Sequence, residues 1–484
     1  MMATTTPDLA RPEFLAAPIP GREGLISVDN PATGEKLGEV PALDASQVEQ
    51  IVTQAKVAQR GWGSLSAKDR AARMHSFFDA IIAHQDDLSR LMVAEQGKPL
   101  AEAKGEVAYA ASFVSWFADE GLRAYGEVIP APQADKRILV LKRPIGLAAA
   151  VTPWNFPLAM ITRKVAPALA AGCGIVVKPS ELTPFSAMAL QQLAIEAGIP
   201  EHLFAVVTGH AKSVGPVLTG HPDIAKFSFT GSTAVGKLLT AQCASTMKRV
   251  SMELGGNAPL IVFDDADIDM AVEGTIMAKF RNSGQTCVCA NRILVQDGIH
   301  DKFVEALTAR AAALRVGNGL DGVTEQGPLI TEQATTKVAE HVADAIRRGA
   351  KATTGGTAHE AGGRFWTPTV LTGATSEMRL AYEETFGPVA PVFRFRDERE
   401  ALAMANDTRS GLAAYAFSAD IDRFWRVCES LEVGMIGFNT GAFSSEVIPF
   451  GGVKESGLGR EGSKHGLDEY LELRMICLGM KGEN

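Results

Sequence analysis

The chain has 484 residues, more than a single hydrophobic core usually organises, so two or three domains are expected. Apolar residues make up 46% of it and charged residues 21%, an ordinary balance for a water-soluble globular protein. A net charge of −9 with no stretch rich in Lys and Arg argues against nucleic-acid binding, and no apolar run approaches the roughly 20 residues of a membrane-spanning helix.

The first part of the chain predicts helices followed by a hairpin. The residues before Leu25 have neither a basic start nor a long apolar segment, so they are interpreted as a frayed tail and not as a signal peptide. Apolar residues recur at helical spacing in residues 44–62, and a second helical segment begins at a capping box of Ser66 and Asp69. Residues 125–146 are expected to form a hairpin whose exposed edges favour pairing with another subunit.

Short apolar strands alternate with helices from residue 146 to residue 252. This alternation predicts a parallel sheet with helices on both faces. Ligands of such sheets bind beyond the carboxyl ends of the strands, where Lys178, Gly209 and Gly231 are expected. A second region of strand–helix alternation spans residues 257–466, and the tail that follows is expected to add one more strand.

The glycine-rich turn in "KFSFTGSTAVGKLL" is similar to the phosphate-binding loop of nucleotide triphosphatases. Gly231, Gly236 and Lys237 follow the spacing of that loop. The next position holds Leu238, where a magnesium-binding loop needs a Ser or Thr hydroxyl. A P-loop phosphotransferase is therefore a poor interpretation, and the turn alone leaves open which phosphate it holds.

Three polar residues have settings that suit catalysis. Cys287 in "KFRNSGQTCVCANR" lies among small and polar residues and suits a thiol nucleophile, although two small apolar residues on a strand would give the same pattern. Asn155 in "TPWNFP" either donates its amide to a developing oxyanion or caps the following helix. Glu253 in "SMELGGNAP" has glycine and apolar neighbours, which favours a general base over a solvated surface carboxylate.

Seven motifs, spread in order over almost the whole chain, resemble those of the aldehyde dehydrogenases. They are "TPWNFP", "KPSELTP", "FTGSTAVGK", "MELGGNAP", "GQTCVCANR", "EETFGPV" and "IPFGGVKESGLGREG". The resemblance implies an α/β fold with a Rossmann-like dinucleotide-binding domain (residues 1–122 and 145–254) and an αβ catalytic domain (255–467). A small β bridging element (123–144 and 468–484) would build homodimers or homotetramers.

The family mechanism gives the three polar residues separate roles. The Cys287 thiolate would attack the aldehyde carbon, and the Asn155 amide with the Cys287 backbone N–H would hold the oxyanion of the thiohemiacetal. Hydride transfer to nicotinamide would leave a thioester, and Glu253 would activate the water that releases the acid. All three residues are present, which argues against a catalytically silent relative. Gly459 and Arg460 are interpreted as structural packing.

The resemblance also implies a nicotinamide dinucleotide bound without a G-x-G-x-x-G fingerprint, with the FTGS turn beside its pyrophosphate and Gly236 easing helix packing. Lys178 matches a lysine that contacts the adenosine ribose. Glu181 matches the acidic residue that binds the ribose hydroxyls in NAD-using members and repels a 2′-phosphate, so NAD is favoured and NADP is the alternative. The expected cofactor contacts are Thr152, Trp154, Lys178, Ser180, Glu181, Gly209, Phe229, Thr230, Gly231, Ser232, Leu254, Glu384 and Phe386.

Two arginines point to the aldehyde. Arg163 and Arg281 match the pair that clamps the distal carboxylate in the succinate-semialdehyde dehydrogenase branch, with Ser445 as the loop serine, whereas a surface salt bridge is the alternative for either arginine. Glutarate semialdehyde would use the same clamp, because one methylene changes discrimination by only about 1–3 kcal/mol. A broad-specificity aldehyde dehydrogenase is expected if the arginines are structural.

Six cysteines in a chain of this size do not make a disulfide framework. Cys289 is either a packing residue or the partner of Cys287 in a redox disulfide that blocks catalysis. The nine histidines show no metal-ligand spacing, so no metal is expected, and we expect a cytoplasmic enzyme. Buried packing positions are expected for Cys173, Cys243, Cys428 and Cys477.

Overall fold

Strands and helices alternate through most of the computed structural model, which describes residues 7–15 and 20–480. The helices are α1 (Ala45–Gly63), α2 (Ala67–Ala83), α3 (Gln85–Gln96), α4 (Leu100–Gly121), α5 (Ala159–Ala171), α6 (Phe185–Glu196), α7 (Ala211–Gly220), α8 (Thr233–Cys243), α9 (Ile268–Phe280), α10 (His300–Ala312), α11 (Glu332–Arg347), α12 (Arg379–Tyr382), α13 (Glu398–Asn406), α14 (Ile421–Ser430) and α15 (Ser463–Asp468). The strands are β1 (Leu25–Asp29), β2 (Lys36–Pro41), β3 (Glu127–Ile129), β4 (Lys136–Pro144), β5 (Leu147–Val151), β6 (Gly174–Lys178), β7 (Phe204–Val206), β8 (Ile224–Thr230), β9 (Arg249–Glu253), β10 (Ala258–Val262), β11 (Ala290–Gln296), β12 (Lys351–Thr354), β13 (Thr369–Ala374), β14 (Val389–Phe395), β15 (Ser410–Gly411), β16 (Ala413–Phe417), β17 (Met435–Phe438), β18 (Val453–Lys454), β19 (Gly457–Leu458) and β20 (Leu471–Gly479).

The first large sheet has six strands in the order β19-β9-β8-β5-β6-β7. Its last five strands are parallel, and almost every residue of β5 and β6 is buried because helices cover both faces. The parallel sheet predicted for residues 146–252 is therefore confirmed. Its carboxyl edge carries the loops of Asn155, Gly231 and Glu253, so it positions three of the expected site residues together.

The second large sheet has seven strands in the order β12-β13-β14-β11-β10-β16-β17. Only β12 runs antiparallel to its neighbour, and the strands β10, β11 and β16 are apolar and buried nearly throughout. The expected α/β class thus holds for both halves of the chain. The expected domain ranges stay a prediction. One strand crosses them, because β19 from the 255–467 range pairs antiparallel with β9.

The expected hairpin and tail strand form a three-stranded antiparallel sheet in the order β20-β4-β3. The pairing of β20 with β4 is continuous from Leu471 opposite Pro144 to Gly479 opposite Lys136. Most side chains of β20 face solvent, so Cys477 is exposed and the buried position predicted for it is wrong. Residues 481–484 of the expected bridging element lie outside the described residues.

Local capping explains where the early helices begin. The Ser66 hydroxyl accepts a hydrogen bond from the Asp69 backbone N–H at 3.1 Å, as predicted, and Asp44 caps α1 in the same way. The second predicted helix is broken at His84 into α2 and α3, and α3 ends at Gly97, whose φ of +94° favours glycine.

Within the described residues, no helix is both long and apolar enough to cross a membrane.

The prediction of a frayed tail before Leu25 is wrong for residues 7–15. The Phe14 side chain is buried, and the Arg11 guanidinium donates two hydrogen bonds of 2.8 Å to the Glu196 carboxylate on α6. The Asp87 carboxylate also accepts the backbone N–H groups of Ala10 at 2.8 Å and Arg11 at 3.1 Å. These contacts dock the segment, although it lacks the periodic pattern that would reveal it. Residues 1–6 and 16–19, which belong to the same prediction, lie outside the described residues.

Candidate active site

Two adjoining cavities meet at Cys287. The larger, of about 830 Å³, opens at the carboxyl edge of the first sheet, and the smaller, of about 320 Å³, lies between α4, α5 and the loop that follows α9. Cys287 and Met160 line both cavities, so the thiol stands at their junction. The expected site residues that line the larger cavity are Trp154, Asn155, Thr230, Gly231, Ser232, Glu253, Leu254, Cys287, Glu384 and Phe386.

A strained turn presents the Cys287 loop. Asn282, Ser283 and Gly284 all have φ between +51° and +73°, a left-handed run that costs free energy at the two residues other than glycine. The turn is held because Glu102 accepts the Asn282 backbone N–H at 2.8 Å and the Ser283 hydroxyl donates to a backbone carbonyl at 2.9 Å. A methyl group at Gly284 would lie 2.2 Å from the Gly387 carbonyl oxygen. Backbone packing therefore fixes the loop.

Cys287 is half-buried at the junction of the two cavities. A Cβ at Gly256 would lie 2.5 Å from the Cys287 carbonyl oxygen, so a glycine is required where the two segments meet. Burial raises the pKa of the Cys287 thiol to about 12, and the positive charge of Arg163 opposes that rise only in part. A thiol whose pKa is raised needs a base to make it a nucleophile.

Asn155 lies beside the nucleophile with its side chain oriented by its neighbours. Its amide Nδ2 donates to the Gln285 carbonyl at 3.0 Å, which leaves a second N–H of the same group. Its backbone carbonyl accepts from Lys98 Nζ at 2.8 Å and from Asn282 Nδ2 at 2.9 Å. These contacts tie the loop before α5 to the loop that holds Cys287.

The alternative that Asn155 caps α5 is wrong. The Glu106 carboxylate performs that task, since its Oε1 accepts the backbone N–H groups of Leu158 at 3.0 Å and Ala159 at 3.2 Å. Glu106 is paired with Lys98, and both side chains are fully buried. The sequence gives little sign of this pair, because an acidic residue inside α4 has the same appearance as a solvated one.

Glu253 ends β9 with a buried carboxylate. Both of its oxygens lack a hydrogen-bond partner among the described residues, and a Cβ at Gly451 would lie 2.9 Å from Oε1. Burial raises the pKa of Glu253 well above its usual range, and the negative charge of Glu461 raises it further, while Lys164 and Arg163 oppose the rise. A carboxyl group with a raised pKa binds a proton more readily than a surface carboxylate does, so it is suited to accept one during turnover.

A buried ion cluster behind Glu253 was not predicted from the sequence. Lys164 Nζ contacts the Glu461 carboxylate and donates to the Ser228 hydroxyl at 2.9 Å. The Lys164 and Glu461 side chains are 0% and 6% exposed, and the two residues lie 297 positions apart. Such a separation hides a pair from any local pattern, so only the presence of Glu461 in the "GREGS" motif could have suggested a role.

Arg163 and Arg281 both line the smaller cavity, together with Cys287. Arg163 is only 2% exposed, so the surface salt bridge considered for it is wrong. Arg281 is half-buried, its guanidinium carbon lies 5.3 Å from the centre of the Phe156 ring, and among the described residues no carboxylate lies within ion-pair distance of it. The expected loop serine is displaced by one position, because Ser444 lines the cavity and Ser445 does not.

The FTGS turn packs as expected for a close backbone approach. A Cβ at Gly231 would lie 2.4 Å from the Phe229 ring, and one at Gly236 would lie 2.3 Å from the Leu254 side chain. The Ser232 hydroxyl caps α8. Lys237 is turned to an ion pair with Glu455 at 2.9 Å, which is a different arrangement from the lysine of a P-loop.

A different group of expected cofactor residues lies outside the wall of the larger cavity: Thr152, Lys178, Ser180, Glu181, Gly209 and Phe229. Lys178 ends β6, and its Nζ donates to Glu181 Oε1 at 2.8 Å; Leu182 of the same turn does line the cavity. Gly209 serves packing, since a Cβ there would lie 2.8 Å from the Val214 side chain.

Glu384 and Phe386 also line the larger cavity. Burial raises the pKa of Glu384 to about 7, and the Gly256 backbone N–H lowers it. Phe386 adopts φ of +56° and packs edge-on against Trp154 with ring centres 5.6 Å apart. Lys337, which was not predicted, also lines this cavity and donates to the Glu384 carbonyl at 2.6 Å.

The second cysteine of the CVC segment does not face the cavities. Cys289 is buried, and its thiol donates to the Lys279 carbonyl at 3.2 Å, so closing a disulfide with Cys287 requires that hydrogen bond to break. The redox pair stays a prediction.

Arg460 donates to the Gly452 carbonyl at 3.0 Å, in keeping with the packing role expected for its motif. Within residues 7–15 and 20–480 no group of His, Cys, Asp and Glu is arranged to hold a metal ion.

Comparison with known proteins decides the family. The sequence model described as "Aldehyde dehydrogenase family" matches residues 19–476. The chain belongs to the aldehyde dehydrogenase family. The prediction made from the seven motifs is therefore confirmed, and so is the enzyme class.

Three curated relatives are similar to this aldehyde dehydrogenase over 94% of its length. The succinate-semialdehyde dehydrogenase [NADP(+)] GabD of Escherichia coli is 57% identical and is covered over 94% of its length. The 3-sulfolactaldehyde dehydrogenase of Pseudomonas putida is 58% identical, with 93% covered. The glutarate-semialdehyde dehydrogenase of Pseudomonas aeruginosa is 57% identical, with 94% covered.

A solved structure confirms the fold class. The succinate-semialdehyde dehydrogenase of Burkholderia pseudomallei superposes on this aldehyde dehydrogenase with a TM-score of 0.97 at 53% identity, covering 98% of this chain and 100% of that one. The expected resemblance to the succinate-semialdehyde branch is therefore confirmed. Identity alone does not choose the substrate, because relatives named for three different aldehydes are equally similar.

Proposed function

We propose that this aldehyde dehydrogenase oxidises succinate semialdehyde to succinate, with NAD as its preferred cofactor. The observation that carries the proposal is the meeting of Arg163 and Arg281 with Cys287 in one cavity of about 320 Å³. An aldehyde whose carbonyl carbon reaches the sulfur can extend its far end towards two cationic groups. A four-carbon semialdehyde has a carboxylate at that end.

Arg281 is the stronger attraction for a carboxylate. It lies against the Phe156 ring, and among the described residues no carboxylate lies within ion-pair distance of it. Glu102 lines the same cavity, where burial raises its pKa although Lys98 and Arg281 oppose that rise. A hydrogen bond to a charged group contributes about 1.5–3 kcal/mol. A neutral aldehyde of the same length would leave that charge unpaired in the cavity, which favours the semialdehyde.

The chemical steps rest on three residues around the sulfur. Glu253 is the base in the same cavity with free acceptor oxygens, so we assign it the proton of the Cys287 thiol and later that of the attacking water. The Cys287 sulfur then bonds to the aldehyde carbon. The Asn155 amide and the Cys287 backbone N–H are assigned to the oxyanion, and one such donor is typically worth about 3–4 kcal/mol in the barrier.

The larger cavity fits a nicotinamide dinucleotide. The bare backbone at Gly231, the α8 N-terminus capped by Ser232 and the opposed carboxylate of Glu384 suit a pyrophosphate and a ribose. Phe386 and Trp154 would flank the ring. When bound, this cofactor supplies the acceptor for the hydrogen that leaves the substrate carbon; water activated by Glu253 then releases succinate from the Cys287 thioester.

The choice of NAD is supported by the Lys178–Glu181 contact at the end of β6. A carboxylate there can accept hydrogen bonds from ribose hydroxyls, repels a 2′-phosphate, and occupies the lysine that would otherwise bind one. The E. coli relative is named for NADP, so we keep NADP as the alternative.

Two other aldehydes fit parts of the same geometry. Glutarate semialdehyde carries the same carboxylate one methylene further away, and the P. aeruginosa relative is named for it. The P. putida relative is named for 3-sulfolactaldehyde, whose sulfonate is also an anion. A broad-specificity enzyme is disfavoured because it would leave the Arg281 charge without a function.

We also propose that the protein forms homodimers or homotetramers through the three-stranded sheet. Its edge strand β20 exposes Leu473 and Met475 at 73% and 64%, and the seven-stranded sheet ends in β17, whose outer edge has no partner strand among the described residues. Long apolar edges are usually covered by pairing with another chain.

Substrate preference is the first test. The kcat/KM for succinate semialdehyde should exceed that for butanal by a hundredfold or more, about 2.7 kcal/mol, because only the semialdehyde pairs with the arginines. Arg281→Gln should lower this ratio at least about tenfold, from loss of one charged hydrogen bond, and exposed Arg399→Gln should leave it unchanged. A wild-type ratio near one would show a broad-specificity enzyme.

Removal of the proposed base should slow both steps assigned to it. Glu253→Gln is expected to slow acid release about 10²–10⁴-fold, since water is no longer activated, and to slow the first turnover as well, since the thiol loses its proton acceptor. Mixing experiments that follow reduced nicotinamide would then record a slowed first turnover of at most one equivalent per active site. The exposed Glu305→Gln on α10 is the matched control. Normal steady-state turnover in Glu253→Gln would refute the assignment.

The cofactor proposal is tested by kcat/KM for NAD and NADP. Wild type should prefer NAD, and Glu181→Ser should raise the NADP/NAD ratio at least about tenfold, because repulsion ends and Lys178 becomes available to a phosphate. The exposed Glu201→Ser provides a control on the same domain. Preference for NADP in the unaltered enzyme would contradict the proposal.

The assembly proposal is tested by light scattering coupled to size-exclusion chromatography. The unaltered protein should elute at a dimer or tetramer mass, and Leu473→Asp should shift it towards the monomer, because a charge would be buried in the interface. Val57→Asp, at another exposed apolar position on α1, should have no effect. A monomeric unaltered protein would end the proposal.

A further inference from the structure

The two arginines of the smaller cavity are held in different ways. Arg281 rests on one face of Phe156, whereas Arg163 is almost fully buried among Tyr109, Phe113 and Phe450. The closest ring to the Arg163 guanidinium is Phe450, whose centre lies 4.1 Å from the guanidinium carbon. Ring faces attract a cation without cancelling its charge. The orientation of Arg163 therefore depends on its few directional contacts.

The strongest directional contact of Arg163 is a neutral one. Its Nη2 donates to the Tyr109 hydroxyl at 2.6 Å, while its Nη1 reaches only the Met160 sulfur at 4.0 Å. The Glu461 carboxylate lies 3.6 Å from Nε, too far for a hydrogen bond, and Nε has no such partner among the described residues. Lys164 occupies the other oxygen of Glu461.

Two acceptors thus compete for one guanidinium. Arg163 is already within ion-pair distance of Glu461 through Nε, but no hydrogen bond joins the two groups. If Nη2 also turned to Glu461, a hydrogen-bonded bidentate pair would form and would draw the guanidinium away from the cavity. The Tyr109 hydroxyl instead holds Nη2 beside the cavity that Tyr109, Arg163 and Cys287 line together, where it can meet an anion.

We propose that Tyr109 is a positioning residue that sets the preference for carboxylated aldehydes, by holding Nη2 of Arg163 back from a closer, bidentate pair with Glu461 and towards the substrate carboxylate. This inference rests on the proposed function. It extends that function because no sequence motif pointed to Tyr109, which lies on α4, 54 residues before its partner. A hydroxyl that only satisfied a buried donor would affect stability and would not affect the choice of substrate.

Tyr109→Phe is the smallest change that removes the hydroxyl. The ring should stay in place, because it packs edge-on against Phe113 with centres 4.9 Å apart. For succinate semialdehyde, KM should rise at least about tenfold with kcat nearly unchanged, as expected for the loss of a charged contact made through Arg163. For butanal, both constants should stay within about twofold, because butanal has no carboxylate to lose.

Two further variants and a stability measurement show whether the effect of Tyr109→Phe acts through Arg163. Tyr125→Phe removes a hydroxyl from a residue that is 72% exposed, and it should leave both substrates unaffected. In an Arg163→Gln background, Tyr109→Phe should add no further loss of selectivity, because the tyrosine acts through the arginine. Thermal unfolding of each variant shows whether a loss comes from folding.

Each outcome has a defined meaning. A high wild-type preference for the semialdehyde that survives in Tyr109→Phe overturns this inference and leaves the proposed function intact. An equal loss for both aldehydes, or a loss that adds to that of Arg163→Gln, also overturns it, since either result indicates a general structural role. A wild-type preference near one overturns the proposed function and this inference together.

Discussion

A buried pair of opposite charges, Lys98 and Glu106, ties the parts of the active site to one another. Glu106 accepts two backbone N–H groups at the start of α5, and Lys98 donates to the Asn155 carbonyl. Neither side chain reaches solvent. Loss of one partner from such a pair typically costs about 3–5 kcal/mol, because the other is left buried and unpaired. The loop of Asn155 therefore has one position, set by charges that water cannot screen.

That constraint extends to the nucleophile. Asn282 also donates to the Asn155 carbonyl, and Asn282 is the first of the three left-handed residues that precede Cys287. The strained turn persists because contacts from α4, from Asn155 and from the segment near Gly327 converge on it. A change that loosened any of these contacts would move the sulfur before it altered the fold.

The sequence predicts well whatever is local in the chain. Strand–helix alternation revealed the parallel sheet, and short motifs located Asn155, Glu253 and Cys287 correctly at one cavity. The missed features join distant residues: Lys164 meets Glu461 across 297 positions and Arg163 meets Tyr109 across 54. No periodic pattern encodes such a meeting, since it exists only after segments that are distant in the chain have packed together.

Two further errors have physical causes of a different kind. Ser444, and not Ser445, faces the smaller cavity, because the path of an irregular loop has no repeat from which to read the direction of a side chain. The segment around Phe14 docks through one ring, one bidentate ion pair and two backbone hydrogen bonds to Asp87, contacts too few to shape composition.

The position of Cys287 between two cavities has a consequence for how substrate and cofactor bind and leave. Of the described residues that line the larger and the smaller cavity, only Met160 and Cys287 line both, so the two cavities meet mainly at the sulfur. We infer that the aldehyde and the dinucleotide occupy separate cavities that meet at the thiol. The acid and the nucleotide then do not compete for the same space, so steric exclusion between them does not fix the order in which they leave.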